Sequence, residues 1–419
     1  MITRIEALGY RCLRYVSQPL GPFHVLVGPN ASGKTTFLDV IAFLGRLVSD
    51  GPDAAIEERS QNFYDLVWRR KGRRFELAIE AKIPDELRKL LIKQDATVVR
   101  YEVAIGLDSR TDERSVLAER VLLKKAEPPR YQSRLFPAIV NETLDTLIER
   151  QSRQQVHISL YRSGTTGASF NTETLVGDLK AWKQTSRKML RRTALRSLAV
   201  DEDLFPVTYW LGELVSAGSR QFVLSTPQLR NASPPGLGKG LRPDGSNLPW
   251  VVADLRQRFP DRFKQWIAHL QTAFPDLQDI KTVERPEDRH RYLMLQYGEG
   301  LEIPSWMASD GTLRMLALTL PAYLEDFKGI YLIEEPENGI HPRAIETMTQ
   351  SLSSVYNAQV LMATHSPVIL STVEAEQILC FAKTREGATD IIRGSEHPAL
   401  RSWKHETTLG TLFAAGVLG

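Results

Sequence analysis

Gly28-Pro29-Asn30-Ala31-Ser32-Gly33-Lys34-Thr35-Thr36 decides the reading of this chain. It matches G-x-x-x-x-G-K-[ST], the phosphate-binding P-loop. Gly28 and Gly33 allow backbone angles closed to other residues, so successive N–H groups can turn inward around an anion. Lys34 supplies a positive charge for phosphate oxygens, and Thr35 a hard oxygen ligand for Mg²⁺. Upstream, His24-Val25-Leu26-Val27 reads as a short buried strand; downstream, Thr36 to Leu44 carries apolar residues at helical spacing. Strand, glycine loop and helix N-terminus follow in the order that aims the helix dipole at phosphate.

Composition is that of an ordinary globular chain. Of 419 residues, 42% are hydrophobic and 25% charged, enough for a sizeable core. A formal net charge of +3 is too mild to imply nucleic-acid binding from the total alone. Cys12 and Cys380, the two cysteines, form no metal-ligand spacing and fit a reducing cytoplasm. No apolar run approaches a membrane span, and Met1 to Glu6 has no signal-peptide core.

Residues 2–27 read as strands, with Tyr10-Arg11-Cys12-Leu13-Arg14 between two of them. Arg11 and Arg14 could reach phosphate or adenine, or lie on a solvated strand edge. Arg69-Arg70-Lys71-Gly72-Arg73-Arg74 reads as the basic tip of a hairpin whose strands are Phe75–Glu80 and Val98–Ile105, with a third strand around Val116 to Leu123. That tip could grip a phosphate backbone or simply be a soluble turn. Beyond Pro128-Pro129 the texture changes, with helical patterns at Glu142–Arg153 and Thr172–Val200. Lys180 to Arg196 holds seven basic residues and no acid. Lys180, Lys183, Arg187 and Arg191 share one helical face, either a partner surface or a solvated one. The expected division is 1–125, 126–225 as a mainly helical insert, and 226–419. In the last part Tyr292–Tyr297 and Leu301–Ile303 form a hairpin across Gly298-Glu299-Gly300.

Ile330-Tyr331-Leu332-Ile333-Glu334-Glu335-Pro336-Glu337 reads as a buried parallel strand ending in paired carboxylates, expected beside the P-loop strand. The last acid of the strand would hold Mg²⁺ and its neighbour would polarise the attacking water. Gln359-Val360-Leu361-Met362-Ala363-Thr364-His365-Ser366-Pro367 reads as another buried strand, tipped by a histidine. His365 could bond a γ-phosphate from the strand end, where α/β sheets bind ligands, or be a structural histidine. Ser309-Asp310-Gly311 precedes a helix over Leu313–Tyr323, and read alone is an ordinary cap.

The order P-loop, Ser-Asp-Gly, apolar strand with paired acids and proline, then Thr-His-Ser resembles the ABC-type ATPase heads. Those include transporters, SMC proteins, RecF-like repair proteins and the OLD (overcoming lysogenization defect) family. Glu334 to Pro342 and Thr364 to Pro367 look most like the OLD-like and RecF-like members, over roughly residues 1–125 and 245–419. The resemblance implies an α/β fold: a mixed sheet with helices and an antiparallel β subdomain. It implies ATP and Mg²⁺ as cofactors. Asn30, Ser32, Gly33, Lys34, Thr35 and Thr36 would bind nucleotide, Thr35 and Glu334 the metal, and Glu335 would position water. His365 corresponds to the switch histidine, His341 falls in the segment matching the D-loop, and Gln61 is a candidate Q-loop glutamine. Ser309 and Gly311 correspond to the signature that acts on the opposite protomer's nucleotide, and Arg11 matches an early motif that touches nucleotide. The Walker B aspartate is replaced by Glu334, which favours water-mediated metal contact, and Ser-Asp-Gly stands for Ser-Gly-Gly. The expected partners are a second copy, a separately encoded effector and, as a candidate, nucleic acid. A Toprim nuclease domain is not expected after His365. A phage-defence switch, a RecF-like repair ATPase and a transporter subunit compete; the large insert and the altered signature disfavour the transporter.

Overall fold

The computed structural model describes residues 1–127, 134–139, 144–148, 156–164, 167–174, 182–184, 192–197, 202–238, 240–400 and 408–418. Its strands are β1 Ile2–Tyr10, β2 Leu13–Pro19, β3 Phe23–Val27, β4 Arg74–Lys82, β5 Val98–Leu107, β6 Arg114–Lys124, β7 His157–Ser163, β8 Ala168–Phe170, β9 Trp182–Gln184, β10 Ser219–Phe222, β11 Leu277–Glu284, β12 Arg291–Tyr297, β13 Glu302–Pro304, β14 Ile330–Glu334, β15 Gln359–Ala363, β16 Ile378–Lys383 and β17 Thr389–Arg393. Its helices are α1 Lys34–Asp50, α2 Pro52–Glu57, α3 Asp85–Arg88, α4 Ala194–Ser197, α5 Pro206–Ser216, α6 Thr226–Arg230, α7 Leu248–Arg258, α8 Pro260–Gln271, α9 Asp310–Thr319, α10 Pro342–Ser353, α11 Pro367–Leu370 and α12 Leu409–Ala414. Two compact units are each assembled from separated segments. The first takes Met1–Gly21, Gly28–Ser219 and Leu379–Arg401; the second takes Pro22–Val27, Arg220–Ile378 and Ser402–Gly419.

The first unit is built on an antiparallel sheet of order β2-β1-β4-β5-β6-β7-β8-β9. Alternation sorts its faces. Ile5, Ile79, Tyr101 and Val121 stand opposite one another across four strands. The other face carries Arg4, Glu80 and Arg100 in cross-strand register. There Arg100 is almost fully buried among Glu6, Glu80 and Glu102, and Lys124 reaches Glu80 at 2.7 Å. Helix α1 buries Phe37, Leu38, Val40, Ile41, Phe43, Leu44, Leu47 and Val48. Phe43 meets Tyr10 and Phe75 at ring distances of 5.6 and 5.5 Å. Burying side chains of this size stabilises by roughly 1.5–3 kcal/mol each.

Three expectations are corrected here. Residues 157–184 add strands β7, β8 and β9 to the sheet where a mainly helical insert was expected. Of the expected helix Glu142–Arg153, the described residues 144–148 are not helical. Most of Thr172–Val200, including Lys180, Arg187 and Arg191, lies outside the described residues. The basic run Arg69–Arg74 enters β4 rather than joining β4 to β5, whose connection holds α3. Several of its charges are already paired: Arg70 with Asp65 at 2.8 Å, Arg73 with Asp112, and Arg74 with Glu76 at 3.1 Å.

In the second unit β14, β15 and β3 run parallel, with β10 beyond β14. The sequence pattern predicts the acid-tipped strand beside the P-loop strand; instead β15 stands between them. The reason is the β14–α10–β15 crossover, which brings consecutive parallel strands into adjacency. A smaller antiparallel sheet, β11-β12-β13, carries the hairpin expected at Tyr292–Ile303. Trp266 of α8 is fully buried and donates its Nε1–H to Thr319 Oγ1 at 2.8 Å.

Candidate functional site

β3 ends at Val27, and the chain passes directly into the glycine loop. Gly28, Ala31 and Gly33 take φ of 145°, 61° and 107°. Neither outer glycine tolerates a Cβ: at Gly28 it would stand 2.2 Å from the Phe381 carbonyl oxygen, and at Gly33 2.2 Å from Thr389 Oγ1. The buried Lys34 donates from Nζ to the loop's own carbonyls, Gly28 O at 2.8 Å and Pro29 O at 3.0 Å. Ser32 is buried, and its Oγ has no hydrogen-bond partner among the described residues. Asn30 and Thr35 are exposed and Thr36 half-buried. Helix α1 begins with Gly33 at its N-cap, no side-chain cap and no acid in its first turn. By contrast Ser309 caps α9 and His341 caps α10. The dipole of α1 at an N-terminus without a side-chain cap, the Ser32 hydroxyl and the Lys34 ammonium fit a polyphosphate.

Around this loop the first unit holds groups that the motif did not reveal. Thr389 of β17 donates from Oγ1 to the Ser32 carbonyl at 2.9 Å, and its N–H goes to Cys12 O at 3.0 Å. Asp39, one turn into α1, accepts from Tyr10 at 2.6 Å and pairs with Arg59 at 2.7 Å and Arg11 at 3.3 Å. Arg11 therefore sits on Asp39, in a left-handed backbone conformation with φ 50°. Burial and the Asp39 carboxylate push the Tyr10 hydroxyl well above its ordinary value. Gln61 is exposed, and its carbonyl accepts from Arg114 at 2.9 Å. Thr389 lies 357 residues from Ser32 along the chain, with no local signal to flag it.

In the second unit Glu334, Glu335 and His365 lie at or just beyond the C-terminal ends of parallel strands, where such sheets bind ligands, whereas Ser309 and His341 cap helices. Glu334 pairs in register with Ala363, and Ala363 with Leu26 of β3. Glu334 receives the Gln221 amide at 3.4 Å. Glu335 is exposed, has φ 46°, and donates its N–H to Ala363 O at 2.8 Å. His365 follows two residues beyond Ala363 and is half-buried. Glu337 bonds the N–H of His365 at 3.0 Å. Ser309 accepts from the Thr312 N–H at 3.1 Å. Gly311 packs so closely on the turn after β14 that a Cβ would stand 2.4 Å from Gly339 O. His341 Nδ1 accepts from the Arg343 N–H at 3.3 Å.

The likeness to solved structures agrees with this architecture. The Smc head in its complex with the C-winged helix domain of ScpA matches with a TM-score of 0.54 and 14% identity, over 93% of this chain and 96% of that one. The fold is that of an ABC-type P-loop ATPase head. The chain belongs to the family described as "AAA domain, putative AbiEii toxin, Type IV TA system", matched over residues 23–155 and 214–371. Among curated proteins it is similar to the Retron Vc95 probable ATPase of Vibrio cholerae, 33% identical over 92 residues, 18% of each chain. It is also similar to the OLD nuclease of Thermus scotoductus, 46% identical over 41 residues, 10% of this chain and 8% of that one. Each alignment spans less than a fifth of the relative's length. No helix among the described residues is long and apolar enough to cross a membrane.

Proposed function

We propose that this chain is an ATP-driven dimeric switch, the ATPase component of a cytoplasmic anti-phage defence system that works with a separately encoded nuclease-like effector. The observation that carries the nucleotide reading is the start of α1: no side-chain cap, no first-turn acid, and two left-handed glycines packed against Phe381 and Thr389. In this reading Lys34 exchanges its bonds to the Gly28 and Pro29 carbonyls for phosphate oxygens. Asn30, Ser32, Gly33 and Thr36 line the phosphates, and Arg11 contacts nucleotide from its place on Asp39. Thr35 and Glu334 hold Mg²⁺, which supplies neutralising charge to the phosphates when bound. Glu335 orients the attacking water and His365 bonds the γ-phosphate. Ser309 and Gly311 serve the nucleotide of a second copy.

The defence reading is supported by similarity to a retron ATPase and to the OLD nuclease. A DNA-maintenance role is the second reading, favoured by the SMC-head fold; a nuclease gene beside this one supports defence, a replication cluster supports maintenance. Purified protein should hydrolyse ATP with Mg²⁺ and leave DNA intact in Mg²⁺ or Mn²⁺. Lys34→Ala should weaken nucleotide binding by ~100-fold or more, since it removes the charge that faces the phosphates. Metal-dependent cutting by the protein alone would overturn the effector assignment, and full turnover by Lys34→Ala would overturn the nucleotide site.

A further inference from the structure

Glu337 is the third acid of Glu334-Glu335-Pro336-Glu337, and no role described so far uses it. Its Oε1 accepts two hydrogen bonds, from Thr364 Oγ1 at 2.6 Å and from the His365 N–H at 3.0 Å. Thr364 is fully buried, and its Oγ1 in turn accepts the Ser366 N–H at 2.9 Å. One carboxylate oxygen thus ties the turn after β14 to the turn after β15, at the residue that carries the imidazole. The other oxygen, Oε2, is buried with no partner among the described residues. An unpaired buried acceptor is costly, so the carboxylate keeps this place despite the penalty. The same turn carries Glu335, whose left-handed backbone is bracketed by Asn338. The Asn338 Nδ2–H donates to Glu335 Oε2 at 2.7 Å, and its N–H to Glu335 O at 3.2 Å. Glu335 and His365 are therefore linked through one short network: Glu335 to Ala363 by its N–H, Glu337 to Thr364 and His365 by its side chain.

We propose that Glu337 is a positioning residue for ATP hydrolysis, fixing His365 in register with Glu335. This rests on the roles given above to Glu335 and His365. Removing the tether leaves nucleotide binding to the glycine loop and loosens only the geometry of the chemical step. Misplacement of about 1 Å at such a site costs ~100-fold in rate.

The test is steady-state ATP turnover with parallel nucleotide titration and thermal melting. Glu337→Ala should lower kcat by ~10- to 100-fold with KM for ATP within about threefold of wild type. Glu337→Gln keeps the Oε1 acceptor and should recover kcat to within about threefold. In a His365→Ala background, Glu337→Ala should have less than about a twofold further effect. Wild-type kcat in Glu337→Ala, a raised KM with unchanged kcat, or an undiminished effect in the His365→Ala background would each overturn the proposal. Where Glu337→Ala does not fold, Thr364→Val replaces it, with an expected ~3- to 10-fold loss in kcat and the same split; wild-type kcat there overturns it equally. If Lys34→Ala and Glu335→Gln behave as the ATPase reading requires while Glu337→Ala matches wild type, only this inference fails. If wild-type protein does not turn over ATP, the reading beneath it fails.

Discussion

Gly33 and Gly311 are glycines for different reasons. Gly33 combines φ 107° with a neighbour, Thr389 Oγ1, that occupies the space a Cβ would need. Gly311 has ordinary helical backbone, but the Gly339 carbonyl leaves no room beside it. Gly311 is thus demanded by packing within its own chain. Thr389 gives the sharper residue-scale test. Thr389→Val keeps shape and burial but removes the donor to the Ser32 carbonyl, and an unsatisfied buried acceptor costs about 1–3 kcal/mol. Urea denaturation should show that loss, and nucleotide titration a weaker affinity at the loop. Unchanged stability and affinity would mean that β17 does not hold the phosphate loop.

At the scale of elements, the sheet of the first unit carries its own pH dependence. Burial pushes the Glu80 carboxyl up, but the Lys124 ammonium, Arg100 and Arg4 outweigh it and hold the group below its ordinary value. A depressed carboxyl stabilises the fold fully above the unfolded-state pKa and loses that contribution as pH falls through the folded value. Glu80→Gln should therefore be less stable than wild type at neutral pH, and its stability should fall less steeply from about pH 5 to pH 3. Parallel denaturation curves across that range would contradict the pairing. The glycine loop was legible because loop and helix are adjacent in sequence: Gly28 and Gly33 lie between β3 and α1, and Lys34 opens α1. The strands that lead to the paired acids and to His365 were legible, although β14 ends at Glu334 and β15 at Ala363, before Glu335 and His365 themselves. Strand order was not legible, because fully apolar parallel strands carry no mark of their neighbour; hence β15 between β14 and β3. Strands β8 and β9 were missed because three residues each are too few to show period-two patterning. Thr389 and Glu337 act through contacts that only the fold creates.

On the scale of the whole molecule, the glycine loop and α1 belong to the first unit, and the acid-tipped strands, His365 and the Ser309 helix to the second. The resemblance assigns Ser309 and Gly311 to the nucleotide of another copy, so the switch requires two chains. The central claim is that ATP brings them together and hydrolysis releases them. Glu335→Gln should bind ATP and slow hydrolysis, trapping the paired state. Light scattering of Glu335→Gln with saturating ATP and Mg²⁺ measures this directly. The account predicts twice the 47.3 kDa chain mass with ATP and a single-chain mass without it; a single-chain mass that does not change at saturating ATP would contradict it.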